Sequence, residues 1–109
     1  MKLVLAVVQD MDAGTLIDSL NKGNFGVTKL ASTGGFLKSG NTTLMIGVEE
    51  ERLDELLKII EETCRSRKQV MPLVPTTPGD AYMPYPVEVL VGGATIFVMD
   101  VESFVKPCA

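Results

Sequence analysis

The stretch from Asn24 to Thr43 reads Asn-Phe-Gly-Val-Thr-Lys-Leu-Ala-Ser-Thr-Gly-Gly-Phe-Leu-Lys-Ser-Gly-Asn-Thr-Thr and holds most of the side chains here that could grip a ligand. Paired glycines let backbone approach a bound molecule closely, and an adjacent ring can lie against it. Amide and hydroxyl groups supply directional hydrogen bonds. This is equipment for holding, not for breaking bonds. The chain has no histidine, which removes every His-based triad or general base. Cys64 and Cys108 lack metal-ligand spacing, and no activating group accompanies either. Cys64 is expected as a small buried helix residue and Cys108 as a tail thiol. Asp10 and Asp12 suggest either a metal pair or helix capping, and capping is the expectation.

These side chains need elements to place them. Lys2 to Val8 is nearly continuous in Val and Leu, as in a buried strand. Leu16, Ile17 and Leu20 recur at helical spacing, with Gly23 as the stop. Phe25, Val27, Lys29 and Ala31 alternate with Gly26, Thr28, Leu30 and Ser32, which predicts a strand running into the Thr33-Gly34-Gly35 corner. Thr42 to Val48 is the next strand. Glu49, Glu50 and Glu51 put negative charge at the start of a second helix, where the dipole favours it. Leu53, Leu56, Leu57, Ile60 and Cys64 form the apolar face of that helix. Lys68 to Tyr85 is rich in proline and reads as a long loop. Val87 to Val91 and Ala94 to Met99 read as a hairpin turned by Gly92-Gly93. Val101, Phe104 and Val105 are expected to tuck a short tail against the body.

That order predicts an α+β fold of ferredoxin-like (βαββαβ) type, an antiparallel sheet with two helices on one face. Two helices leave the other face open, and Val7, Val27, Met45, Val89 and Phe97 should divide between the two sides. An apolar open face implies self-association, for which a closed ring of copies is the natural solution. At 109 residues the chain is expected to form a single domain, 1–109. The net charge of -4 argues against a nucleic acid polymer as partner. Met1 to Val8 lacks the longer apolar core and cleavage site of a secretory signal, and no stretch is long enough to span a bilayer. The expected location is cytoplasmic, with no membrane partner.

The chain resembles the PII-like cyclic-di-AMP receptor family of signal transduction proteins. The resemblance runs through Ala6-Val7-Val8-Gln9-Asp10, Thr28-Lys29-Leu30, Thr33-Gly34-Gly35-Phe36-Leu37 and Gly40-Asn41-Thr42-Thr43. It continues in Gly47-Val48, Glu62-Thr63-Cys64, Pro84-Tyr85-Pro86-Val87-Glu88-Val89 and Val91-Gly92-Gly93-Ala94-Thr95. The resemblance implies a PII-like homotrimer, no enzymatic activity and no cofactor. It implies cyclic-di-AMP bound at subunit interfaces and a signal passed to an unknown downstream protein. Two loops should respond to ligand, a short Gly-rich one at about 34–40 and a long Pro-rich one at about 67–85.

The same resemblance implies the contacts. Asn24 and Thr28, on the second strand, would meet ribose or phosphate. Gly35, Phe36 and Leu37 would touch one adenine, and Asn41 would hydrogen-bond an adenine edge. Gly47 leaves room for a base, and Phe97 presents an apolar face. One departure stands out: the family usually carries an arginine where this chain has Gly26. Lys29, Lys38 or Lys106 are the candidates to replace its charge. That departure motivates one alternative, a trimer sensing another adenine nucleotide or small anion; a nucleotide-independent adaptor is a separate, third reading.

Overall fold

The computed structural model describes residues 1–30, 40–72 and 86–107. In chain order the elements are β1 (Lys2–Gln9), α1 (Asp10–Lys22), β2 (Val27–Leu30) and β3 (Asn41–Val48). A single 3-10 turn (Glu50–Arg52) leads into α2 (Leu53–Cys64), followed by β4 (Arg67–Pro72), β5 (Pro86–Val91) and β6 (Ala94–Asp100). Four strands form one sheet in the order β2-β3-β1-β6, with every neighbouring pair antiparallel. With the β4–β5 ribbon set aside as an insertion, that is the ferredoxin-like order the sequence predicts.

Strand alternation decides which side chains meet the helices. Val4, Ala6 and Val8 of β1 are buried, and their partners Ile46, Leu44 and Thr42 on β3 are buried with them. Leu16 and Leu20 of α1 and Leu56, Ile60 and Cys64 of α2 complete the same core. Both helices therefore cover one face. Each fully buried aliphatic side chain in this layer contributes about 1.5–3 kcal/mol of transfer free energy. Cys64 is 1% exposed, as its place on the apolar face of α2 predicts.

Arg52 fastens the helix layer. Its guanidinium donates to the Gly23 carbonyl at 2.7 Å, lies 4.0 Å from the centroid of the Phe25 ring, and pairs with Glu55 three residues on. The start of α2 is thereby tied to the end of α1. Gly23 closes α1 with an ordinary negative φ. The left-handed residue is the next one, Asn24, at φ 61. Phe25 is 4% exposed, in the core, and β2 begins only at Val27. Asn24 thus lies in the turn before the second strand, not on it.

The other face of the sheet carries Leu3, Leu5 and Val7 of β1, Met45 of β3, and Phe97 and Met99 of β6, whose register places them in adjoining rows. Phe97 is 53% exposed. Val7, Met45 and Phe97 thus fall on the open side and Val27 on the helix side. Val89 belongs to neither, because β5 is not in this sheet.

The ribbon corrects two expectations. β5 pairs with β4, not with β6, so Gly92-Gly93 does not turn a hairpin. It carries the chain from one sheet to another, with φ 87 and 89 at the two glycines. The Gly93 N–H donates to the Cys64 carbonyl. A Cβ at Gly92 would overlap the Arg65 carbonyl oxygen. The expected loop at about 67–85 gives its first six residues, Arg67–Pro72, to β4. Residues 73–85 lie outside the described residues. The tail tucks in only at its start: Val101 is half-buried and its N–H donates to the Met1 carbonyl, whereas Phe104 is 65% and Val105 76% exposed. No helix among the described residues is long and apolar enough to cross a membrane.

Candidate ligand-binding site

The end of the sheet where β1 finishes, β3 starts and β6 starts is polar, unlike the centre. Gln9 is the last residue of β1 and stands opposite Asn41, the first of β3. Both line a cleft with Gly92, Gly93 and Thr95. Asn41 also borders a second cleft, between α1 and the β2 edge, with Asp10, Gly14, Ile17, Lys29 and Leu30. Asn41 is the one candidate contact that both clefts share.

Hydrogen bonds fix this corner. The Asp10 N–H donates to the Gly40 carbonyl at 2.9 Å, and the Thr42 hydroxyl donates to the Asp10 carboxylate. The Gly92 N–H donates to Gln9 Oε1 at 2.7 Å. Asp12, 4% exposed, accepts both terminal nitrogens of Arg67, at 2.7 and 3.3 Å. That hydrogen bond raises the Arg67 pKa above its ordinary value. Neither aspartate caps α1, because no side chain caps its first turn. Asp10 serves β3 and Asp12 serves β4 instead. Burial, with help from Asp12, pushes the Cys64 thiol up to about 11, so it stays protonated at neutral pH. No cluster of metal-ligating side chains occurs among the described residues.

The remaining sequence candidates are dispersed. Thr28 is exposed on β2 opposite Met45, and Gly47 is exposed on β3 opposite Leu3, so both belong to the open face. Asn24 and Gly26 are exposed just ahead of β2, and no atom comes within 4 Å of a Cβ built on Gly26 or Gly47. Lys29 is exposed on the opposite side of β2 from Thr28. Lys106 is exposed in the tail. Gly35, Phe36, Leu37 and Lys38 lie outside the described residues.

Thr28 and Phe97 share one row, Thr28–Met45–Leu5–Phe97, at opposite edges of the sheet. Three strand spacings separate them by about 14 Å. Asn41 and Gly47 stand six residues apart on β3, about 20 Å along the strand. One chain therefore brings Thr28, Gly26 and Gly47 to one end, Asn41 to the other and Phe97 to the far edge. Sequence reasoning gave no role to Gln9 or Arg67. The available signal was a single amide ending an otherwise apolar strand.

The family model described as cyclic-di-AMP receptor matches residues 1–107. Among solved structures, the chain is similar to the crystal structure of a functionally unknown protein from Pediococcus pentosaceus ATCC 25745. The two are 48% identical with a TM-score of 0.77, and the match covers 96% of this chain and 95% of that one. That neighbour fixes the fold and names no ligand. The family match, which takes in both sides of the Asn41 corner and the ribbon, assigns the chain: it belongs to the cyclic-di-AMP receptor family.

Proposed function

We propose that this protein is a cytoplasmic, non-enzymatic receptor that binds cyclic-di-AMP in clefts between the subunits of a homotrimer. The observation that carries the reading is the dispersal of its candidate contacts over one apolar-centred sheet face that neither helix covers. Asn41, Thr28 and Phe97 stand at different margins of that face and form no compact pocket with one another within one chain. A neighbouring copy seated on that face would complete a composite site, with one chain's edge set against another's end. Leu5, Met45 and Phe97 give such a contact an apolar centre, and the polar groups would rim it. Thr28 and Asn24 would meet ribose and phosphate, and Asn41 an adenine edge. Gly35, Phe36 and Leu37 would close on the base. Ligand would favour the state in which loops of two subunits engage it together, and so pass the signal to a downstream protein.

The test is titration calorimetry of the purified protein with cyclic-di-AMP, alongside sedimentation. Saturable heat with three ligands per trimer is expected. Absence of heat at tens of micromolar, or a strictly monomeric protein, overturns the reading. Gly26 favours a second reading, in which the same trimer senses another adenine nucleotide or a small anion. A competition panel of ATP, ADP, AMP and cyclic dinucleotides separates the two. A protein indifferent to all of them is an adaptor.

A further inference from the structure

We propose that Gln9 is a positioning residue that couples the nucleotide cleft at Asn41 to the β4–β5 ribbon. The proposal rests on the receptor reading and adds the route by which binding at that site reaches the ribbon.

A two-stranded ribbon is marginal by itself, so its placement depends on how its two strands are rooted. The root of β5 lies beside Asn41, and the root of β4 is linked to it through the first turn of α1. The root of β5 is the Gly92 N–H, held at 2.7 Å by the side-chain oxygen of Gln9. Gln9 is the direct cross-strand partner of Asn41, and such pairs bring Cβ atoms within about 5.5 Å. The root of β4 is Arg67, gripped by Asp12 on the first turn of α1. Two residues earlier on that turn, Asp10 holds the hydroxyl of Thr42, the residue after Asn41.

The Gly92-Gly93 joint has no slack. Both glycines have left-handed φ, and Gly93 is bonded to the carbonyl of Cys64. At Gly92, even an added methyl carbon would meet the Arg65 carbonyl and the Arg67 guanidinium. A displacement of the Gln9 amide is therefore passed through Gly92 to β5, not absorbed at the joint. A ligand that pulls on Asn41 bears on Gln9 first, because the two share a strand pair and line one cleft. The Asp12–Arg67 pair is buried on its acidic side and acts as the fixed pivot. The Gln9–Gly92 bond, a single neutral hydrogen bond, is the movable one.

The test compares wild type with Gln9→Ala and Gln9→Glu by hydrogen exchange of the β4 and β5 amides. Each protein is measured free and at a cyclic-di-AMP concentration shown by calorimetry to saturate it. In wild type, ligand should change ribbon exchange rates by about fivefold or more, the low end of ordinary coupling between sites. In Gln9→Ala the response at saturation should fall below twofold, while the β1 and β3 amides still respond. Gln9→Glu keeps an acceptor for the Gly92 N–H and should restore it. Absence of binding by wild type overturns the receptor reading and the coupling with it. Binding by wild type without a ribbon response, or an undiminished response in Gln9→Ala, overturns the coupling alone. If Gln9→Ala fails to fold, a Gln9→Glu protein that binds without a ribbon response overturns it equally.

Discussion

Replacing Gly26 by arginine should tighten the binding of a cyclic phosphodiester. The backbone at Gly26 is outside the left-handed region, and no atom lies within 4 Å of a Cβ built there. A side chain is therefore accommodated without strain. Val27 turns toward the helices opposite Ile46, so alternation sends a residue at 26 to the face of Thr28. A charge-assisted hydrogen bond from guanidinium to phosphate is worth about 1.5–3 kcal/mol. That corresponds to roughly 10- to 150-fold in affinity. Gly26→Ala is the control. It removes the same chain entropy from the unfolded state and should stabilise the protein by about 0.4–1 kcal/mol, as arginine should, but leave affinity unchanged. Calorimetry at two salt concentrations separates the effects, because only the charged contact weakens as ionic strength rises. Equal affinities for the alanine and arginine variants, with the fold intact, would refute the placement of position 26 against the phosphates.

Phe97→Glu, at a half-exposed site opposite Leu5, should dissociate the proposed trimer at micromolar concentration, and sedimentation velocity reads this directly. Thr43 is 8% exposed and its hydroxyl has no hydrogen-bond partner among the described residues. Thr43→Val should therefore raise stability by about 1 kcal/mol in urea unfolding, whereas a loss would show that a second copy or ligand uses that hydroxyl. Cys64 keeps its proton to about pH 11 in the folded state, against about 9 when exposed. The unfolded chain then loses its proton first. Its contribution is fully present below pH 9 and should decline between pH 9 and 11. Urea midpoints of a Cys108→Ser protein and its Cys64→Ala derivative, compared across that range, check the sign.

The central sheet and both helices were legible because their patterns are local. β1 is continuous in apolar residues, and α2 repeats Leu53, Leu56, Ile60 and Cys64 along one face. The family blocks were legible in their order, and they include Gln9 and Asn41. What sequence could not show was partnership. Val87 to Val91 and Ala94 to Met99 flank a glycine pair that suits a hairpin, yet the glycines' positive φ serves a change of sheet. The true partner of β5 lies across residues 73–85, and its Pro72 sits at the strand's end, where a missing N–H costs little. Asn24 reads as a ligand-facing amide, but its left-handed backbone also makes it the residue that ends the turn after α1, a place asparagine tolerates. Asp10 and Asp12 look like caps by position. Their actual partners, Thr42 and Arg67, are 32 and 55 residues away and carry no local signature.

The outer margin of β6 has a physiological consequence. Seven residues, Ala94–Asp100, bond to β1 on one side and to no strand among the described residues on the other, and Phe97, Val98 and Met99 project from it half bare. Such a border templates further strands when chains are crowded and unassembled. If the chain assembles as the proposed trimer, ring closure competes with such pairing, and the outcome depends on how quickly matching copies meet. A weakened contact between copies would then leave that border bare for longer and favour precipitation at the same protein concentration.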